Sequence, residues 1–337
     1  MTSFDFSVSE TVLLTGAGFT HNFGGFLAVD MWDEIHNHFQ RYNRSTENSR
    51  LLKEIKKNFN YEELYQTVER SSDFNPQEKE AFMNAVLSAY DTLDKIVCSY
   101  KSRIPNITAE VDTSKLRNFF QLLNGQGRNF GFFFTLNQDI LIERYFSEGP
   151  TGPVLPGIKA NYARFNIGRY KSLDSTDYPT VMKDRELEKA KMTMKSLGHL
   201  YYIKLHGSYD WRDEQNRARM IIGMHKADQI GADDILSWYF RLFEEVLSLN
   251  KRRLLIIGYG FGDPHINKVI INAIKNHHLK IYVISPEARV SFREKVNRID
   301  SDLWKSTAGY YPYSLKKLFP MGGNSPHYEN FKKDFFC

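Results

Sequence analysis

Three polar residues in two short motifs are the best suited to chemistry in this sequence. Asn137 and Asp139 are separated by one residue, so an amide and a carboxylate can face the same crevice and bind a ribose. His206 is followed by Gly207, which lets a ligand approach the backbone closely. An unperturbed histidine has a pKa of about 6.5 and can accept a proton near neutral pH. Together these groups could orient hydroxyl groups or water and accept a proton.

Two glycine-rich segments are candidate phosphate-binding turns. Gly16-Ala17-Gly18 stops the apolar run at residues 11–15, and Gly258-Tyr259-Gly260 follows the run at residues 253–257. Short apolar runs that end in glycine are typical of buried parallel strands. Glycine at such a turn lets the backbone approach a pyrophosphate. The alternative for each turn is purely structural: the glycines could serve only a tight connection between strand and helix.

Each candidate motif follows a predicted strand. The predicted strands cover residues 11–15, 130–135, 200–205, 253–257 and 280–284, and a further short strand is predicted at 220–223. In an open α/β sheet, ligands bind beyond the carboxyl ends of the strands, where helix N-termini offer unpaired N–H groups. The sequence therefore predicts an α/β fold with a doubly wound parallel, Rossmann-like sheet and a phosphate-bearing ligand at its strand ends.

The remaining patterns are mainly helical. Leu27, Met31, Ile35 and Phe39 recur every four residues, which predicts a helix just after Gly24-Gly25. We expect one domain over residues 1–337, with a helical insertion subdomain at 45–125 and a C-terminal extension at 300–337. The Asp263-Pro264 and Ser285-Pro286 pairs each predict a capped helix start.

The C-terminal extension is rich in aromatic residues. They include the run at residues 310–313 and several phenylalanines between 331 and 336, and none has a place in the predicted sheet. Such residues are enriched at protein interfaces, which favours an assembly surface. Packing of the same residues onto the chain's own core is the alternative.

Composition limits the classes of function. The chain is 42% hydrophobic, enough to build a globular core, and its net charge of +5 comes with only short basic clusters, so direct nucleic-acid binding is not expected. Cys98 and Cys337 are too far apart in sequence to suggest a disulfide framework or a zinc site, so no metal ligands are assigned. No apolar run is long enough to span a membrane and no signal peptide is recognised, so we expect a cytoplasmic protein.

The glycine turns do not match two common nucleotide-binding fingerprints. A dehydrogenase loop needs a third glycine at position 21, where this chain has His21. A P-loop NTPase needs a glycine-lysine-serine or glycine-lysine-threonine run, and the sequence contains none. The sequence therefore argues against hydride transfer and excludes a P-loop ATPase.

Taken in chain order, three motifs resemble the successive signatures of the sirtuin superfamily. They are Gly-Ala-Gly-Phe-Thr at 16–20, Thr-Leu-Asn-Gln-Asp at 135–139 and Lys-Leu-His-Gly-Ser at 204–208. The run Gly-Tyr-Gly-Phe-Gly-Asp-Pro-His at 258–265 and the strand that ends at Ser285 resemble the family's later nucleotide-binding segments. The resemblance spans most of the chain, and it implies NAD+ as the ligand.

The same resemblance assigns roles to individual residues. Asn137 and His206 are the implied catalytic residues. The implied NAD+-binding residues are Gly16, Ala17, Gly18, Phe19, Thr20, Asn22, Asp139, Gly258, Tyr259, Gly260, Asp263, His265 and Ser285.

Two departures from sirtuin deacylases indicate which branch of the superfamily the chain resembles. The chain lacks their four-cysteine zinc module, and residues 22–27 replace their Asp-Phe-Arg segment. In this it is similar to a zinc-free bacterial branch that hydrolyses NAD+ during phage defence, and most like the partners of HerA-type DNA-translocating ATPases. The resemblance implies an NAD+ glycohydrolase that needs no zinc and forms a homo-oligomer with such an ATPase as partner. A non-catalytic scaffold that senses NAD+ or ADP-ribose, and an NAD-dependent protein deacylase, remain the alternatives.

Overall fold

The structure is a computed structural model. It describes residues 8–42, 49–100, 110–146, 152–160, 173, 177–194, 199–213, 215 and 217–336. None of the helices in these ranges is long and apolar enough to cross a membrane.

Strands and helices alternate along much of the chain. The strands are β1 Val8–Thr15, β2 Phe130–Thr135, β3 Ile158–Lys159, β4 Thr180–Val181, β5 Leu200–Lys204, β6 Gly207–Arg212, β7 Ala218–Met220, β8 Arg253–Ile257, β9 Lys280–Ile284 and β10 Thr307–Tyr311. The first helices are α1 Ala17–His21, α2 Ala28–Tyr42, α3 Ser49–Lys57, α4 Tyr61–Arg70, α5 Pro76–Ser99, α6 Thr113–Leu122 and α7 Leu141–Phe146. They are followed by α8 Asp184–Thr193, α9 Lys226–Gly231, α10 Asp234–Leu247, α11 Pro264–His277, α12 Arg289–Ile299, α13 Ser301–Lys305, α14 Leu315–Leu318 and α15 Pro326–Phe336.

The main sheet has six parallel strands in the order β10-β9-β8-β1-β2-β5. β1 lies at its centre, with Leu14 beside Phe134 of β2 and Ile256 of β8. The chain builds the sheet outward from β1 to β5, then returns to add β8, β9 and β10 on the other side. The point of reversal, between β1 and β8, is where doubly wound sheets bind ligands.

Both faces of the sheet are covered by hydrophobic clusters. Successive residues of a strand point to opposite faces, so Leu13 belongs to one cluster while Val12 and Leu14 belong to the other. Helices α2, α4, α5 and α6 contribute to the first cluster, and α10, α11 and α12 to the second. The predicted doubly wound parallel fold is confirmed.

Four of the helices, α3 to α6, lie within the predicted helical insertion. Phe82, Val86 and Leu93 of α5 are buried in the same cluster as Phe133 of the sheet. The helices between β1 and β2 therefore share a core with one face of the sheet. The subdomain boundaries at residues 45 and 125 stay a prediction.

A second sheet, with the order β3-β4-β6-β7, was not predicted. Its strands β3 and β4 have two residues each, too short to leave a periodic pattern. Only two residues separate the end of β5 from the start of β6, so the sequence does not mark β6 as a separate strand. The strand predicted at 220–223 overlaps β7, Ala218–Met220, only at Met220, and residues 221–223 are not in a strand.

The C-terminal extension differs from the prediction. Residues Thr307–Tyr311 form β10, which pairs with β9 at the edge of the main sheet. In α15, Phe331 and Phe335 are fully buried in the chain's own core. The expectation that the tail has no place in the sheet was wrong, and the alternative of packing onto the core is correct for these aromatic residues.

Two predicted helix starts also need correction. Helix α12 begins at Arg289 with Ala288 as its N-cap, so Ser285-Pro286 does not cap it. Instead, the Ser285 hydroxyl accepts a hydrogen bond of 3.2 Å from the backbone N–H of Glu287. Asp263 does precede α11, but its side chain makes no capping hydrogen bond.

Candidate functional site

A cavity of about 1180 Å³ opens at the carboxyl ends of the central strands. Its volume exceeds the range of about 300–1,000 Å³ that is usual for small-ligand pockets, which suits a ligand as long as a dinucleotide. The predicted site residues that line it are Gly16, Ala17, Gly18, Asn22, Asn137, Asp139, His206, Gly258, Tyr259, Gly260, Asp263 and Ser285. Phe19, Thr20 and His265 are absent from the lining.

The two glycine turns pack directly against each other. The backbone N–H of Gly16 donates to the carbonyl of Ile257 over 3.1 Å, and that of Gly18 donates to Gly258 over 3.0 Å. Gly258 has a φ of +68°, and a Cβ atom added to it would lie 2.1 Å from the backbone nitrogen of Phe19. Gly18 was expected to let the backbone approach a phosphate, but its N–H is already bonded to the other turn. These glycines hold the two turns together.

Two other glycines leave open space at the cavity. Gly260 and Gly262 both line it, and a Cβ atom at either would meet nothing within 4 Å. The second turn therefore presents backbone to the cavity at these positions. Close approach of a ligand to the backbone is possible there.

Thr20 connects the two polar residues of the Asn137 motif. Its hydroxyl oxygen accepts a hydrogen bond of 2.9 Å from Asn137 Nδ2. The same hydroxyl is hydrogen-bonded to the Asp139 carboxylate. Thr20 is fully buried. It orients Asn137 and Asp139 without lining the cavity itself.

Asp139 lies at the start of α7. Its Oδ1 accepts a hydrogen bond of 3.0 Å from the backbone N–H of Leu141, as expected of a helix cap. Burial raises the pKa of its carboxyl, and the positive charge of Lys204 opposes that shift. The side chain of Asp139 therefore has both a structural role and access to the cavity.

Gln138 lies between these two residues and was missed by sequence reasoning. Its Nε2 donates to the carbonyl of His206 over 3.2 Å and to that of Ile221 over 2.5 Å. Its Oε1 accepts a hydrogen bond from the hydroxyl of Tyr90 in α5. Gln138 thus ties the end of β2 to the end of β5 and to the helices between β1 and β2.

A buried ion pair between Lys204 and Glu143 holds the segment that follows β2. Lys204 Nζ donates to the Asp139 carbonyl over 2.5 Å and to Glu143 Oε1 over 2.9 Å. Burial raises the pKa of Glu143 to about 7, and the nearby Asp210 carboxylate adds to the shift. Lys204 belongs to the Lys-Leu-His-Gly-Ser motif, so the motif supplies a positioning group as well as His206.

Asn22 connects the first glycine turn to the C-terminal extension. Its Nδ2 donates to the carbonyl of Gly18 over 2.7 Å, and its Oδ1 accepts from the backbone N–H of Leu315 over 3.0 Å. Asn22 also lines the cavity. The extension therefore helps to fix the turn that borders the site.

His206 is almost fully buried, and its Nε2 lies 3.1 Å from Nε2 of His265. Burial lowers the pKa of His206 to about 3, and the positive charge of Lys226 adds to the shift. The sequence-based expectation of an unperturbed pKa near 6.5 was wrong, because the sequence shows neither the burial of His206 nor the nearby charge of Lys226. His206 is neutral at neutral pH and has a lone pair available.

Lys226 was not predicted, and no motif marks it. Its Nζ lies 2.9 Å from Glu62 Oε1 and 2.8 Å from Asp263 Oδ1. These carboxylates raise the pKa of Lys226, so it stays charged. Asp263 therefore binds an ammonium group where the sequence predicted a helix cap, and the bridge joins α4 to the second glycine turn.

His206, Asp263 and His265 place one potential metal-ligating atom each within 4.8 Å of one another. Two neutral imidazoles and a carboxylate are a donor set that zinc accepts. However, the Lys226 ammonium already occupies one Asp263 oxygen and would repel a divalent cation. The site fits a proton-handling role better than a metal.

A family model described as SIR2-like domain matches residues 131–307, just over half of the chain. The matched segment contains Asn137, Asp139, His206 and the Gly258 turn, but not the first glycine turn. No curated protein matches the chain.

Proposed function

The chain belongs to the SIR2-like domain family, whose members are generally NAD-dependent enzymes, and from this premise we propose that it hydrolyses NAD+ to nicotinamide and ADP-ribose. NAD+ is the substrate, bound in the strand-end cavity. The reaction class is glycoside hydrolysis at the nicotinamide–ribose bond.

One observation carries this proposal. Asn137, Asp139 and His206 follow two neighbouring parallel strands and line the same cavity as both glycine turns. An amide, a carboxylate and a neutral imidazole thus share a cavity with exposed backbone. This combination supports the binding of a polar dinucleotide and the removal of a proton.

In the proposed reaction, the C–N bond to nicotinamide breaks and its electron pair leaves with the ring. The leaving group is a cationic pyridinium in the substrate, so it needs no protonation. Asn137 positions the ribose hydroxyls or the attacking water, and Asp139 holds the ribose or the nicotinamide carboxamide. His206 accepts the proton that water releases as its oxygen bonds to the ribose carbon.

Replacement of the proposed base tests the mechanism. We expect His206→Ala to lower the rate of NAD+ cleavage by about 100-fold or more, the scale of a lost general base. NAD+ affinity measured by calorimetry should remain, because the glycine turns are untouched. His277→Ala is the matched control, since His277 lies at the far end of α11. Unchanged cleavage by His206→Ala would contradict the assignment of the base.

We also propose that the hydrolase acts in phage defence as a homo-oligomer with a HerA-type ATPase. The support is the resemblance of its ordered motifs, without a four-cysteine module, to that branch of the family. Co-expression with the ATPase, followed by light scattering of the purified protein, tests assembly. A protein that stays monomeric and never co-purifies with the ATPase would contradict it.

A further inference from the structure

We propose that His265 accepts the proton from His206 during hydrolysis, so that the two imidazoles act as one base. This inference rests on the proposed hydrolysis of NAD+. It gives His265 a positioning and proton-transfer role in place of the ligand-binding role expected from the sequence.

The contact between the rings supports the transfer. The two Nε2 atoms are 3.1 Å apart, and the ring planes are inclined by 38°. His206 is also hydrogen-bonded to the backbone of Leu136. Because Nε2 faces His265, Nδ1 makes that bond and donates its hydrogen to the carbonyl. Nε2 is therefore the nitrogen of His206 that can take up a proton.

The surroundings of the rings favour charge on His265 over charge on His206. His206 is almost fully buried and faces the Lys226 ammonium, which opposes a second positive charge. The Asp263 carboxylate favours the protonated form of both rings, but His265 is only half-buried at the first turn of α11, so a charge there is better solvated. Lys226 opposes protonation of His265 as well, and the ring of Phe240 packs beside it with a centroid distance of 5.9 Å.

The proton balance of the step is simple. Water loses one proton as its oxygen bonds to the ribose carbon, and His206 Nε2 takes that proton. The new N–H donates to the lone pair of His265 Nε2, with the other His265 hydrogen on Nδ1. The imidazolium of His206 then has an acceptor for both of its N–H groups, Leu136 and His265. Transfer to His265 moves the charge to the less buried ring and restores neutral His206.

The kinetic test uses His265→Ala in the full chain. We expect kcat for NAD+ cleavage to fall by about tenfold or more, less than the roughly 100-fold expected for loss of His206, because His206 itself remains. The dissociation constant for NAD+, measured by calorimetry, should change less than about twofold. Added imidazole should restore part of kcat by occupying the space left by the ring. His277→Ala on the same helix is the control and should behave as wild type.

Histidine side-chain NMR of the unliganded protein gives a second readout that does not depend on activity. In the wild type, the ¹⁵N shifts should report a hydrogen on Nδ1 of both His206 and His265 and a lone pair on both Nε2 atoms. Wild-type kcat in His265→Ala, or a hydrogen on His265 Nε2 in the unliganded wild type, would overturn the proposal. Failure of the wild-type protein itself to cleave NAD+ would instead overturn the proposed function.

Discussion

The Nδ2 amide of Asn137 donates a hydrogen bond of 2.9 Å to the hydroxyl oxygen of Thr20. The two residues are brought together because β1 and β2 are neighbours and α1 directly follows β1. The same hydroxyl is hydrogen-bonded to Asp139. One buried threonine therefore sets the orientation of two residues in the proposed substrate site.

Removal of this hydroxyl should impair catalysis more than binding. We expect Thr20→Val, which keeps the side-chain shape, to reduce kcat for NAD+ cleavage by about tenfold because Asn137 loses its orientation. Thr20→Ser keeps the hydroxyl and should retain most of the activity. Steady-state kinetics with both variants provide the check. Equal activity in the two variants would show that the hydroxyl does not position Asn137.

The contact between the glycine turns should make Gly258 indispensable for stability. Gly258→Ala places a Cβ atom against the backbone of Phe19 and forces a non-glycine residue to a φ of +68°. The conformational strain alone costs about 1–3 kcal/mol, and the steric clash adds to it. Gly260→Ala meets no atom within 4 Å and should unfold at the wild-type midpoint. Denaturant unfolding of both variants tests this, and equal midpoints would contradict the described packing.

The Lys226 bridge should matter more than an exposed ion pair of similar length. Lys226 is partly buried between Glu62 and Asp263, so Lys226→Met leaves two carboxylates without their cation. Loss of a buried partner costs about 3–5 kcal/mol, and the partial exposure of this site reduces the expectation to about 2 kcal/mol. Lys275 pairs with Asp300 over 2.8 Å on the surface, so Lys275→Met should leave stability unchanged. Similar unfolding curves for both variants would refute the structural role of the bridge.

The lowered pKa of His206 predicts how stability varies with pH. The unfolded chain binds a proton at this residue below about pH 6.5, whereas the folded protein does so only near pH 3. Between these values the unfolded state binds more protons, so the free energy of unfolding decreases as pH falls. His206→Gln should reduce that slope by up to about 1.4 kcal/mol per pH unit. The charged and titratable groups around the site, Lys226, Asp263 and His265, are the same in both proteins. Equal pH slopes of the free energy of unfolding in the wild type and in His206→Gln would argue against a buried neutral His206.

Much of the main sheet could be predicted from the sequence. The runs at 130–135, 253–257 and 280–284 coincide with β2, β8 and β9, because strands buried on both faces are continuously apolar. Polar residues directly after such strands stand out, and parallel strands bring their carboxyl ends to one edge. This is why Asn137, Asp139 and His206 could be placed in one site.

Other parts of the site depend on contacts that leave no local pattern. Lys226 begins an ordinary helix, and only the fold brings it between Glu62 and Asp263. His206 and His265 are 59 residues apart, so their contact and its effect on the pKa of His206 are invisible in the sequence. The short strands of the second sheet likewise form only by pairing with neighbouring strands, which the sequence does not reveal.

The most direct test of NAD+ hydrolysis is to quantify nicotinamide and ADP-ribose after incubation of the full chain with NAD+ and no acylated peptide. The measurement is made on the protein alone and together with the HerA-type ATPase. We predict equimolar nicotinamide and ADP-ribose with the wild type, and neither product with a variant that combines Asn137→Ala and His206→Ala. Intact NAD+ under both conditions, with binding still detected by calorimetry, would contradict hydrolysis and indicate a protein that only senses the nucleotide.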